Sequence, residues 1–153
     1  MIPAEENLEQ VLAELEKGKV ILSYSFEKCR NINMMDGLSY EQMDSFEALT
    51  SRFARLSDIV IQKAFRALDI LDLDDEGTIR DRINRAEKKG IIESADSFYD
   101  IRILRNEIAH EYKSEAIYSI FAKVLELAPI LIKSVGSIIS YAKKYRTTRP
   151  QQI

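Results

Sequence analysis

The segment Ile101-Arg102-Ile103-Leu104-Arg105-Asn106-Glu107-Ile108-Ala109-His110-Glu111-Tyr112 gathers the side chains of this chain best suited to chemistry. It holds the single histidine of the 153 residues, five positions after an arginine and two before a tyrosine. An imidazole moves protons near neutral pH, and a guanidinium fork grips anionic oxygens such as those of a phosphate. On an ideal helix, turning about 100° per residue, Ile101, Leu104 and Ile108 mark a packing face, and Arg105 and Tyr112 fall in or beside it. A guanidinium there is costly unless a polar group meets it. Tyr99, Asn106 and His110 share an adjacent face, with Arg102 on its edge. Bland assignments stay open on these residues alone. Arg105 could pair with a buried acid, His110 could be an ordinary surface or core histidine, and Tyr112 could simply pack.

Other chemistries find no footing. The glycines, at 18, 37, 77, 90 and 136, lack the spacing of a phosphate-binding loop. One histidine and one cysteine, Cys29, exclude an HExxH site, a Cys-based zinc site and a disulfide framework. No nucleophile elbow is present. Asp72, Asp74 and Gly77 start like a calcium loop, but its twelfth position would be Ile83, where a bidentate Glu is required. No metal or cofactor is therefore expected. The N-terminal MIPAEENLEQ lacks the basic-then-apolar layout of a signal peptide, and no apolar run spans a bilayer. A cytoplasmic, soluble protein without a membrane partner is expected. Net charge is −3 but uneven: residues 1–76 hold 8 basic and 16 acidic residues, and 77–153 hold 14 and 9. A polyanion would meet the second half, leaving the acidic first half outermost, unless the drift has no meaning.

The elements that must position the segment are helices. Apolar 46%, charged 31%, 5 Gly and 3 Pro describe one folded all-α domain. Leu8, Val11, Leu12, Leu15, Leu22, Phe26 and Cys29 give a helix over about 5–33, with Gly18 inside it at a cost of ~1 kcal/mol. Asp36-Gly37 breaks it, and Ser39 with Gln42 forms a capping-box pattern. Phe46, Leu49, Phe53, Leu56, Val60, Ala67 and Ile70 carry a second helix over about 39–71, interrupted in its seam by Lys63. A connection of about five residues makes the pair an antiparallel hairpin. Residues 72–77 read as a solvated acidic loop. Thr78 caps a short basic helix that Gly90 ends, and Ser94 starts the motif helix, about 95–111. A last helix, about 115–145, is apolar on a wide face, fit for a bundle centre or a subunit interface. Pro129 should kink or split it. The expected domain is 1–145, with 146–153 a flexible basic tail whose fraying begins near Lys143.

The run Arg105-Asn106-Glu-Ile-Ala-His110-Glu-Tyr112, an R-x4-H-x-Y pattern, resembles the HEPN superfamily, and more narrowly the HepT-type toxins of HEPN/MNT toxin–antitoxin pairs. The resemblance spans nearly the whole chain in helix order: long hairpin, short helix, motif helix, terminal helix. It implies a small antiparallel helical bundle that dimerises with its motif helices at a two-fold interface. It further implies a metal-independent endoribonuclease acting on RNA such as tRNA or mRNA. By resemblance Arg105 and His110 are the catalytic pair, Asn106 supports them, and Tyr112 is the tyrosine that an MNT nucleotidyltransferase antitoxin AMPylates. Arg102 and Lys113 are candidate RNA contacts beside them. The chemistry fits: the ribose 2′-OH attacks its own phosphate, imidazole moves the protons and the Arg fork stabilises the transition-state charge. Arg105 and His110 lie about 140° apart on one helix, so apposing two helices would bring both groups to one phosphate. Alternatives are a HEPN-fold subunit without nuclease activity that serves a nucleotidyltransferase as substrate-binding or scaffold partner, and a plain helical interaction domain.

Overall fold

The computed structural model describes residues 3–110 and 116–146, and every regular element among them is helical. Helix α1 is Ala4–Cys29, α2 is Tyr40–Asp58, and α3 is Phe65–Leu71. Between α2 and α3, residues Ile59–Ala64 wind as a π-helical turn, so the expected 39–71 helix is continuous but not uniform. Helix α4 is Ile79–Lys88, α5 is Ala95–His110 and α6 is Ile117–Ala142, followed by a 3-10 turn at Lys143–Tyr145. Among the described residues no helix is long and apolar enough to cross a membrane.

The first hairpin is antiparallel, because its contacts pair rising positions of α1 with falling ones downstream. Glu14 meets Lys63, Gly18 meets Leu56, and Ser25 accepts from Arg52. Gly18 now has a reason: a Cβ there would sit 3.0 Å from the Leu56 Cδ1, so its absence lets α1 and α2 close together. Helix α1 stops at Cys29 rather than near residue 33. Asn33 Oδ1 accepts from the Met35 N–H at 2.9 Å, and Gly37 takes φ +84°, so this segment satisfies its backbone by local turns instead of helix. The connection is correspondingly longer, 30–39. The Ser39–Gln42 capping box is present in both directions.

Helix α6 packs against α1, α2 and α5 and is the centre of the bundle. Phe121 stacks on Phe46 with ring centroids 4.8 Å apart. Pro129 does not split it: the helix runs unbroken from Ile117 to Ala142. Val124, Ala128, Leu131 and Val135 are fully buried on both sides of the proline. Packing on this scale outweighs one lost backbone hydrogen bond.

The acidic loop is exposed from Leu73 to Gly77, as expected, but its first residue, Asp72, is packed and partnered, and the basic tail does not fray at Lys143. Asp72 accepts from Lys89 Nζ and from the Tyr141 hydroxyl, at 2.8 and 2.7 Å, and also from the Tyr145 hydroxyl. Asp69, buried at the end of the π-interrupted helix, accepts from Arg85 and from Lys89 at 3.0 and 2.8 Å. Arg146 reaches Glu9 at 2.9 Å. At these points acids of the first half hold cations of the second.

Burial opposes the charge on Asp72, but hydrogen bonds from Lys89, Tyr141 and Tyr145, with the Lys89 charge, hold its carboxyl well below the usual carboxylate range. A carboxyl depressed on folding stabilises the fold above its unfolded pKa, about 3.9, and loses that contribution as pH falls below it. Asp72→Asn is therefore expected to cost about 1.5–3 kcal/mol near pH 7. Urea unfolding followed by circular dichroism at stepped pH should show the gap to wild type closing below about pH 4. An equal gap at pH 7 and pH 3 would show that the Asp72 charge is not its source.

Candidate functional site

Helix α5 is built to hold one arginine against the hairpin. Ala95, Phe98, Ile101 and Leu104 are buried, and Ile108 is half-buried against the same core. Arg105, one residue past Leu104, is carried to the rim of that contact, where α2 ends. There it meets Asp58: Nε to Oδ1 at 2.7 Å and Nη2 to Oδ2 at 2.9 Å. This two-pronged pairing is the polar group that a guanidinium at the packing face required. The hydrogen bond and then the charge of Asp58 raise the Arg105 pKa above its ordinary value. Of the five N–H groups of a guanidinium, the pair uses two. The Nη1–Nη2 edge stays available, and Nη1 lies 3.4 Å from Asn106 Oδ1.

That edge belongs to a cleft of about 650 Å3, within the size range of small-ligand sites. Arg102, Arg105 and Asn106 of α5 line one side; Arg55, Asp58 and Lys63, from α2 and the π turn, line the other. π turns often mark functional sites because they re-aim side chains without ending the helix. Here the wider turn buries Ile59, Val60, Ile61 and Ala64 and leaves Gln62 and Lys63 exposed at the cleft. Cationic groups and amides around a single carboxylate suit an anion with several oxygens.

The structure brings Arg105, Asn106 and Arg102 together and does not add His110. That residue ends α5, is exposed, and is absent from the cleft wall. Tyr99 is absent from the cleft wall as well. Arg80 of α4 lies over its ring at 4.3 Å from the centroid, and its hydroxyl donates to Asn84. Tyr112 and Lys113 lie outside the described residues. Asp58 is the site residue that sequence reasoning missed. Its signal was an acid between the seam residues Leu56 and Val60, just before the seam breaks at Lys63. Among the described residues no group of His, Cys, Asp and Glu could hold a metal ion. Comparison with protein-family models, with curated proteins and with solved structures gave no match.

Proposed function

We propose that this chain is a HEPN-type endoribonuclease toxin that cuts RNA without a metal ion, acts as a homodimer and is silenced by an MNT nucleotidyltransferase antitoxin. The observation that carries the reading is the undeviating run from Arg105 to Tyr112, on a helix whose Arg105 and Asn106 open onto a cationic cleft. In the reaction the ribose 2′-oxygen attacks the adjacent phosphorus and the bond to the 5′-oxygen breaks, leaving a 2′,3′-cyclic phosphate. One proton leaves the 2′-OH and one reaches the departing 5′-oxygen. Two copies of His110 in a dimer serve as base and acid for these transfers. Arg105, held along one edge by Asp58, presents the other edge to the non-bridging oxygens, where charge accumulates.

Pairing two motif helices about a two-fold axis would carry His110 of one subunit toward the Arg105 cleft of the other. Exposed apolar side chains support such pairing: Ile103 on α5 is 57% accessible, and Tyr118 and Ile130 on α6 are also open. The alternative, a HEPN-fold subunit that binds substrate or scaffolds a nucleotidyltransferase without cutting, draws on one observation: within a single chain His110 stands outside the cleft.

The separating test uses one RNA oligonucleotide with and without deoxyribose at the scissile position, in EDTA. Cleavage is expected to persist in EDTA and to stop at the deoxy position, because the proposed nucleophile is the 2′-OH. Equal cutting of both strands would end the nuclease mechanism, and no cutting of either would favour the binding subunit.

A further inference from the structure

Many cations of this protein are matched to a carboxylate at close range, as in Arg85–Asp69 at 3.0 Å, Lys133–Glu93 at 2.6 Å and Arg146–Glu9 at 2.9 Å. Around the π turn, where Lys63 pairs with Glu14 at 3.2 Å, four arginines depart from that pattern. Arg55, Arg66, Arg82 and Arg102 make no ion pair among the described residues. Arg82 instead reaches in to donate to the Ile61 carbonyl of the π turn at 3.4 Å. Burial, and then the charges of Arg66, Arg85 and Arg102, push the Arg82 guanidinium below its ordinary pKa against the pull of Asp69. Like charges are therefore crowded around one turn, and Asp69, the acid that offsets them at Arg82, is already paired with Arg85 and Lys89.

The crowding follows a path. Arg55 and Arg102 line the Arg105 cleft. Gln62 and Lys63 belong both to that cleft and to a neighbouring groove of about 290 Å3 that continues to Arg66. Two connected concavities thus run over the π turn, with unmatched arginines along them. Cavities of this size take a few nucleotides of a single strand, not a duplex. A polar lining of cations and amides, whose two acids, Asp58 and Glu14, are already paired with Arg105 and Lys63, suits backbone phosphates and discriminates little among bases.

We propose that this path is a phosphate track for single-stranded RNA, leading the backbone from Arg105 past Arg102 and Lys63 to Arg66. The inference rests on the reading of RNA as the substrate and extends it to the strand beyond the cutting site. Like any phosphate track it should show steep salt dependence, because each phosphate contact releases bound counterions.

The test is fluorescence anisotropy with a labelled 2′-O-methyl oligouridine, which cannot be cut, titrated at several salt concentrations. Arg66 is exposed, so Arg66→Glu tests the track without burying a charge. Paired with Arg102→Gln it is expected to weaken binding about tenfold or more and to flatten the salt slope by about 0.7 for each lost phosphate contact. Arg80→Gln is expected to bind like wild type, since Arg80 is stacked on Tyr99 away from the path. Unchanged affinity and slope in the Arg66/Arg102 variant would overturn the track. So would a duplex or a polyglutamate peptide that binds as tightly with the same loss at Arg66. Normal RNA cutting with unchanged binding would sink the track alone, whereas the expected binding losses without any cutting would sink the nuclease reading alone.

Discussion

His110→Ala and Arg105→Ala are each expected to lower RNA cleavage by roughly 10²-fold or more, with the fold and the dimer intact. The two losses have separate causes. His110 is exposed at the end of α5, so truncating it removes proton transfer and little else, with stability within about 0.5 kcal/mol of wild type. Arg105 is tied to Asp58, but both side chains are more than a third accessible, so breaking the pair costs only about 0.2–1 kcal/mol. A variant losing that little remains folded, and its loss of cleavage reports on chemistry. Arg105→Lys sharpens the argument. It keeps the charge but has no planar fork to hold Asp58 and a phosphate at once, so it should fall nearer to Arg105→Ala than to wild type. Light scattering should give twice 17.6 kDa for wild type and for each variant. Mixing the two alanine variants adds a further constraint. If Arg105 and His110 from different subunits act together, exchange yields some clefts with both groups intact and partial activity returns. Wild-type cleavage rates in both alanine variants would remove these residues from the mechanism.

The features legible in the sequence were those written in local side-chain pattern. Ser39–Gln42 and Thr78 announce helix starts because a cap is a bond between near neighbours. Gly90 announces an end because its φ of +76° suits few other residues. The packing face of α5 follows from spacing alone. What stayed hidden depended on partners far along the chain. Asp58 and Arg105 are 47 residues apart, and nothing local says that the end of α2 meets the middle of α5. Asp72 looked solvated because Tyr141 and Tyr145, its donors, lie about seventy residues away. The π turn left a faint mark, since Lys63 breaks an apolar seam. A lysine in a seam also fits an ordinary surface helix, however, and only the packed bundle separates the two. Pro129 misled for the opposite reason: its local rule is strong, and burial around it in α6 is stronger.

Tyr112→Phe is expected to leave cleavage largely intact while abolishing silencing by the nucleotidyltransferase partner. The change removes one oxygen, the acceptor of the AMP, and keeps the ring. In the modification that oxygen attacks the α-phosphorus of ATP and pyrophosphate leaves, so the tyrosine gains a phosphodiester anion and an adenosine. Two residues of chain span at most about 7 Å, which bounds the distance between the Cα atoms of Tyr112 and His110. An AMP added there would be tethered two residues from His110, and in the proposed dimer it would compete with RNA for the Arg105 cleft. Its phosphate can take the open Arg105 edge meant for the RNA, and its base adds bulk where the strand would enter. Both effects would exclude substrate while the protein stays folded. The partner then acts as an enzyme, and silencing should outlast its removal. Intact mass spectrometry after incubation with partner and ATP should show steps of about 329 Da on wild type and none on Tyr112→Phe. Cleavage assays on the same samples should find wild type inactive and the variant still cutting. Equal mass gain on both proteins would move the modified atom elsewhere, and equal silencing without mass gain would mean that the partner blocks the cleft by binding.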